Sequence, residues 1–125
     1  GSMSRNSEKE FQTVFSSAAR TATSTATIVT GSCAGLFYIN VTAASATPSV
    51  VFTIAGEEPI SGTAYTILAS AAITATGLTV LRVHPALTAA ANTIAKDMLP
   101  AAVKVTATHA DADSITYSVS FIGVD

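Results

Sequence analysis

The segment from residue 49 to residue 83 constrains the fold of this chain more than any other stretch. It consists of three apolar runs rich in β-branched residues, separated by the turn segments 56–62 and 75–77. Runs of this length and composition, bounded by Gly and Pro, are typical of β-strands. The segment therefore predicts three consecutive strands of an antiparallel meander, the first of which turns Val50, Phe52 and Ile54 to one side.

The same alternation continues on both sides of this segment. Residues 36–43 and 115–122 carry large apolar side chains at every second position, the period of a strand with one buried face. The predicted inward-facing residues are Phe37, Ile39, Val41, Ile115, Tyr117, Val119 and Phe121. Residues 103–108 predict another strand, and residues 111–114 predict a tight hairpin that joins it to the last strand.

The third run of the meander and the segment after it have a different pattern. Residues 78–83 are apolar on both faces, which predicts a central strand that is covered on both sides. Pro85 ends this strand because proline cannot donate to a ladder. Residues 85–100 lack a regular period, but their apolar side chains predict a packed crossover between sheets, with a single helical turn at residues 89–91.

About seven short strands with regular turns predict an all-β fold, a single antiparallel β-sandwich of the immunoglobulin-like or jelly-roll-like type. A small barrel is the alternative. The length of 125 residues corresponds to one domain. We expect residues 21–125 to form the sandwich and residues 1–20 to form an N-terminal arm, of which residues 1–2 resemble the remnant of an expression tag.

The N-terminal arm has the pattern of a short amphipathic helix. Ser7 and Glu10 have the spacing of a capping box. Phe11, Val14 and Phe15 follow at the spacing of one helical face, which predicts a helix over residues 8–19.

A helix of about three turns is only marginally stable alone in water. The arm must therefore dock on its own domain, dock on a neighbouring molecule, or stay disordered, and the sequence leaves all three open. If it docks on a neighbour, Phe11, Val14 and Phe15 are the partner-binding residues.

Residues that could carry chemistry are few. With His84 and His109 as the only histidines and Cys33 as the only cysteine, a zinc site of three or four ligands could hardly be assembled. Glu57 and Glu58 are adjacent, so on a strand they would point to opposite faces and could not act as an acid and base pair. No Gly-x-Ser-x-Gly elbow or phosphate-binding loop occurs. We therefore expect a protein that is not an enzyme and that uses no cofactor and no metal.

Two further features have structural explanations. Asp111 and Asp113 resemble the start of a calcium loop, but the glycine and the distal glutamate of that motif are absent, so a turn is the better interpretation. Cys33 cannot form an internal disulfide, and we expect it to be a small buried residue.

The charge content excludes several classes of partner. Charged residues make up 11% of the chain, against roughly 25% in an average domain. The net charge of −2 without a basic cluster argues against nucleic acid and anionic membranes. Ser and Thr hydroxyls cost far less to bury than charges do, which suits a protein that packs against its own copies or a lattice. The N-terminus has no signal-peptide pattern, so we expect folding in a reducing cytoplasm.

Residues 51–59 (VFTIAGEEP), 61–68 (SGTAYTIL), 75–87 (ATGLTVLRVHPAL) and 115–122 are similar to small β-rich virion proteins of tailed bacteriophages. The resemblance covers most of residues 35–123 and does not clearly include the N-terminal arm. It implies a structural role, and we expect a capsid decoration or cementing protein that binds the outer surface of the capsid. Its partners would be the major capsid protein lattice and itself, as a homo-oligomer and specifically a trimer. It would be located in the virion, after assembly in the host bacterial cytoplasm.

Two alternatives remain at this stage. Tail and neck proteins reuse the same kind of fold, and fold does not fix function. A carbohydrate-binding or adhesin-like module would need exposed aromatic side chains. The only tyrosines are Tyr38, Tyr65 and Tyr117 and the chain has no Trp, which disfavours sugar stacking.

Overall fold

A computed structural model describes residues 10–124. In this range the chain forms nine β-strands and no helix. In chain order they are β1 (Glu10–Arg20), β2 (Ser24–Val29), β3 (Ala34–Ala44), β4 (Val50–Glu57), β5 (Ala64–Ala69), β6 (Gly77–Val83), β7 (Ile94–Ala95), β8 (Ala102–His109) and β9 (Ile115–Val124).

The strands form two sheets that enclose a common core. Sheet A has the order β1-β9-β3-β6-β7 and sheet B the order β2-β8-β4-β5. All neighbours are antiparallel except β6 and β7. Leaving aside the two-residue β7, the pairs β1 with β9, β2 with β8, β3 with β6 and β4 with β5 are nested within one another. The prediction of an all-β, sandwich-like fold is confirmed, and the two sheets do not form a closed barrel.

The core is built from the inward faces that the alternation predicted. The seven inward-facing residues predicted on β3 and β9, and Phe52 on β4, are all buried. The Phe52 and Phe15 rings pack edge-on against Tyr117, with centroids 5.0 Å and 6.1 Å away. Phe37 lies 4.9 Å from Phe121. Offset and edge-on aromatic contacts of this kind add to the stability gained by burial alone.

Gly35 on β3 is required by the packing of Phe121. A Cβ atom at this position would lie 2.3 Å from the Phe121 Cε1 atom and 2.9 Å from the carbonyl oxygen of Ile122. We expect Gly35→Ala to lower the free energy of unfolding by about 1–3 kcal/mol through overpacking. Gly31→Ala is the matched control, since a Cβ there meets no atom within 4 Å. Urea unfolding of both variants tests this, and equal stabilities would contradict the packing.

The predicted N-terminal helix is wrong over the described residues, because Glu10–Arg20 is an edge strand of sheet A paired with β9. The register shifts between Thr13 and Phe15 and again between Phe15 and Ala18. These β-bulges insert extra residues and change the phase of alternation. The neighbours Val14 and Phe15 can therefore both be buried, which reproduces the apolar spacing of a helix. Residues 1–9 lie outside the described part of the chain.

Side-chain contacts fix strand β1 on its own domain at both ends. The Arg20 guanidinium donates to the carbonyl oxygens of Ser16 and Tyr117 at 2.7 Å and 3.0 Å, and it lies 4.7 Å from the centroid of the Tyr117 ring. At the other end, the Glu10 carboxylate accepts hydrogen bonds from the hydroxyls of Thr30 and Ser32. Of the three states left open for this segment, residues 10–20 therefore show docking on their own domain.

Two predicted connections are wrong because the strands they join lie in different sheets. Strands β4 and β5 form a hairpin in sheet B, whereas β6 belongs to sheet A, so the three-strand meander is broken. Likewise β8 lies in sheet B and β9 in sheet A, so residues 110–114 cross between sheets. Turn residues indicate that the chain reverses direction, but they do not specify which sheet the next strand joins.

Strand β6 is not covered on both sides. Leu81 and Val83 are buried, but Leu78 is 62% exposed and Arg82 is also exposed. The segment 85–100 does cross from sheet A to sheet B and packs through the buried Leu99. It contains β7 and no helical turn at residues 89–91.

Candidate partner-binding face

The side chains with catalytic or metal-binding potential are dispersed. Within residues 10–124, no three His, Cys, Asp or Glu side chains lie close enough together to hold a metal ion. His84 Nδ1 accepts a hydrogen bond from the Ala86 amide at 2.9 Å, which fixes the turn after β6. Cys33 is exposed, so the expectation that it is buried is wrong. No helix in the described range is long and apolar enough to span a membrane.

Asp111 and Asp113 hold the connection between β8 and β9. The Asp111 carboxylate accepts the Asp113 amide at 3.0 Å. The Asp113 carboxylate accepts the amide and hydroxyl of Thr47 at 3.1 Å and 3.2 Å. Both side chains are therefore engaged in shaping and bracing the turn.

The structure separates the three residues proposed for partner binding. Val14 and Phe15 are buried in the core of their own domain, whereas Phe11 is 64% exposed. Phe11 pairs with Ile122 of β9, and both side chains lie on the face of sheet A that points away from sheet B. Partner binding at Phe11 stays a prediction, and its surroundings indicate which surface would take part.

The outer face of sheet A is apolar across four strands. Phe11, Ile122, Leu36 and Arg82 lie opposite one another in one row. The next row along the strands contains Tyr38 and Val80, and the row after it contains Leu78. We define the outer face of sheet A by its six large apolar residues, which are Phe11, Leu36, Tyr38, Leu78, Val80 and Ile122.

Charge is almost absent from this outer face. The five other positions on these rows are Thr13, Asn40, Ser118, Ser120 and Arg82, of which only Arg82 is charged. An antiparallel sheet that faces water usually carries polar side chains on its outer face. Here large apolar residues of four strands share the face with uncharged polar ones, and Phe11 and Leu78 are the two most exposed of them. An apolar surface with few charges is typical of a protein-binding site.

The sequence shows part of this apolar surface, but the structures predicted from it were wrong. Because residues 78–83 are apolar on both faces, the sequence predicted that other residues of the domain would cover both. Within residues 10–124, no segment covers Leu78. The alternation of β3 was assigned to a single apolar face, although Leu36 and Tyr38 made the second face apolar as well. Register across strands, which the sequence does not give, is what brings these residues together.

A small apolar pocket lies at one end of this face. It has a volume of about 240 Å³. We call it the end pocket, and it is lined by Gly35, Leu36, Arg82, Val83, His84, Leu87 and Val124. Leu36 belongs to both surfaces, and Arg82 pairs with it in the same row. The end pocket is therefore continuous with the outer face of sheet A.

The three tyrosines differ in their accessibility. Tyr117 is fully buried, Tyr38 is half-buried, and Tyr65 is 48% exposed. The Tyr65 ring occupies the space over Gly56, where a Cβ would come within 2.4 Å of the phenol. Tyr65 also lines a cleft of about 540 Å³ between the β4–β5 loop and Pro100. This cleft is the place where an exposed aromatic side chain meets an open cavity.

His109 makes the stability of the domain dependent on pH. Its Nε2 atom is hydrogen-bonded to the Tyr117 hydroxyl at 3.1 Å. Burial lowers the pKa of His109, and the charge of Arg20 lowers it further, while Asp111 acts in the opposite direction. Because protonation then favours the unfolded chain, stability is complete above an unfolded pKa of about 6.5 and falls as the pH drops towards the folded pKa.

We expect His109→Gln to remove this loss of stability below about pH 6.5. The lowered pKa of Glu10, held down chiefly by its hydrogen bond from Thr30, acts at lower pH, because glutamate titrates near 4.3 in unfolded chains. Thermal unfolding across the range tests the expectation. A wild-type pH profile in His109→Gln would contradict it.

No family model, curated protein or solved structure matches this chain, so its assignment rests on the residues and the geometry described above.

Proposed function

We propose that this chain is a structural protein of a tailed-bacteriophage virion, specifically a capsid decoration protein that binds the outer capsid surface without catalysis. Many copies would each bridge neighbouring capsid subunits and add contact area that resists the internal pressure of DNA. The observation that carries the proposal is the outer face of sheet A, which is apolar and nearly uncharged. The similarity of residues 51–59, 61–68, 75–87 and 115–122 to phage virion proteins supports the same role.

We further infer that the sandwich is of the jelly-roll type. The support is the nested pairing of β1 with β9, β2 with β8, β3 with β6 and β4 with β5. Such nesting corresponds to one long hairpin wrapped into two sheets, an architecture used by viral capsid and lectin domains among others. The analogy agrees with a virion role, although the architecture alone does not determine function.

In this proposal, neighbouring copies of the same chain cover the outer face of sheet A. Four strands spaced at about 4.8 Å, over the roughly 17 Å of strand that carries these rows, give an area on the order of 300 Å². A standard interface buries about 800 Å² per partner, so surfaces next to the outer face of sheet A would supply the larger part of the contact. Closed symmetric oligomers are the usual result of such contacts, and a trimer matches the three-fold positions of a capsid.

Binding to capsids assembled without this protein tests the proposal. We expect stoichiometric co-sedimentation of the wild type. Leu78→Asp should weaken binding at least tenfold, about 1.4 kcal/mol, because monomers lose the avidity of the oligomer. Thr27→Asp, an exposed position on sheet B, is the control and should bind within twofold of the wild type.

The outcomes separate the two parts of the proposal. A wild-type protein that stays in the supernatant would contradict the decoration role. A Leu78→Asp variant that binds as tightly as the wild type would contradict only the role of the outer face of sheet A.

The exposed Tyr65 ring favours the alternative of a carbohydrate-binding module. Aromatic rings beside clefts are common stacking surfaces for sugar rings, and the Tyr65 cleft is within the usual size range of ligand sites. If this alternative holds, the wild type will bind glycans on an array and Tyr65→Ala will not. Capsid binding that is unchanged in Tyr65→Ala would favour the decoration role.

A further inference from the structure

The loop between β4 and β5 exposes a large apolar side chain to water. Ile60 is 94% exposed, more than any other large hydrophobic residue in the described range. It lies at the tip of the loop formed by residues 58–63. Any contact that removes a fully exposed isoleucine side chain from water is favourable in free energy.

Hydrogen bonds hold this loop in one conformation. The Glu58 carboxylate accepts the amides of Ile60 and Ser61 at 2.6 Å and 3.3 Å. The Gly62 amide donates to the Glu58 carbonyl at 2.8 Å, and the Glu58 amide donates to the Thr63 carbonyl at 2.8 Å. Gly62 has a φ of 76°, which favours glycine. Because the loop is already ordered, docking Ile60 costs little conformational entropy.

The end pocket offers a site of matching size and polarity. Its volume of about 240 Å³ accommodates a branched aliphatic side chain. Leu36, Val83, Leu87 and Val124 provide apolar walls. No side chain of residues 10–124 fills the pocket.

The charges of the loop and the pocket are complementary. Glu57 and Glu58 flank the loop, and residues 57–63 contain no lysine or arginine. Arg82 lines the pocket, and among residues 10–124 no carboxylate does so. Opposite charges around an apolar contact favour this pairing and fix its orientation.

Both features lie at the same end of the sandwich. Gly56, at the end of β4, pairs with Val103 at the start of β8. The preceding Leu99 donates its amide to the Cys33 carbonyl at 2.7 Å, next to the start of β3 and the end pocket. Copies arranged side by side around an axis can therefore bring the loop of one to the pocket of the next at the same height. Repeated contacts of this head-to-tail kind close into a ring when the rotation between successive copies closes.

We propose that Ile60 of one copy inserts into the end pocket of a neighbouring copy, with Glu57 facing Arg82 across the contact. The inference rests on the self-association in the proposed function and identifies the elements that produce it. The loop supplies the inserted side chain, and the end of sheet A supplies the pocket.

Sedimentation equilibrium of the full chain tests the contact. We expect Ile60→Asn to raise the dissociation constant of the oligomer at least tenfold. Val29→Asn is the matched control, because Val29 is also a highly exposed apolar residue, at 71%, but lies on β2. Both substitutions are at exposed positions, and unchanged melting of the dilute monomers confirms that both variants fold.

A charge exchange gives an independent readout. Arg82→Glu should weaken association at least fivefold, and adding Glu57→Arg to the same chain should restore most of the loss. An Ile60→Asn variant that associates like the wild type, or a double variant without any recovery, overturns the contact and leaves self-association intact. A wild-type chain that is monomeric at all concentrations overturns the contact and self-association together, while capsid binding is read out separately.

Discussion

A chain that lacks residues 1–20 is expected to lose most of its stability. The deletion removes strand β1, which places Val14 and Phe15 in the core and Arg20 against the Tyr117 ring. Loss of a buried phenylalanine side chain alone costs about 3–5 kcal/mol, against a total stability of roughly 5–15 kcal/mol for a domain. It also leaves one side of β9 without a partner strand. Circular dichroism on heating should show a melting temperature lowered by 15 °C or more, on the order of 4–8 °C per kcal/mol.

Two point variants on β1 test whether its contribution to stability comes from buried side chains. Phe15→Ala should cost about 3–5 kcal/mol, because the side chain is 7% exposed and packs on Tyr117. Phe11→Ala should change stability by less than about 1 kcal/mol in a monomer, since its ring already lies in water. A truncated chain that melts like the wild type would show that β1 is not part of the folded domain.

The second large effect is expected at the centre of the core. Phe121 and Phe52 are fully buried on opposite sheets, against Phe37 and Tyr117 respectively. Truncation of either to Ala should lower the free energy of unfolding by about 3–5 kcal/mol. Ser120→Ala, next to Phe121 but on the outer face of the strand, should stay within about 0.5 kcal/mol. A loss below 1 kcal/mol for either phenylalanine, measured by urea unfolding, would show that the register is wrong.

The strands with one dominant apolar face could be predicted from the sequence. Alternation placed the inward residues of β3, β4 and β9 correctly, because a period of two assigns alternate residues to opposite faces and the more apolar face turns to the core. On β3 it did so even though Leu36 and Tyr38 make the outer face partly apolar. The pattern failed at β1, where bulges on either side of Phe15 shift the alternation. Adjacent buried residues then resemble the stripe of a helix, and no local property of the sequence marks the bulges.

The assignment of strands to the two sheets could not be predicted from local sequence, for a different reason. Turn residues such as Asp111 and Asp113 lower the energy of a chain reversal equally well within a sheet and between sheets. The candidate site could not be predicted either, because it depends on which strands are neighbours in a sheet. Phe11, Leu36, Leu78 and Ile122 are far apart in the sequence, and only their register across sheet A shows that they form one surface.

The most direct test of the proposed role is a cryo-EM comparison of virions produced with and without this chain. The proposal predicts regularly spaced density on the outer capsid surface that is present only with the chain, with each unit matching oligomers of 12.6 kDa subunits. Fitted models should show the outer face of sheet A covered by neighbouring copies. Capsids of identical surface in both preparations, or difference density confined to the tail or neck, would contradict the role of a capsid decoration protein.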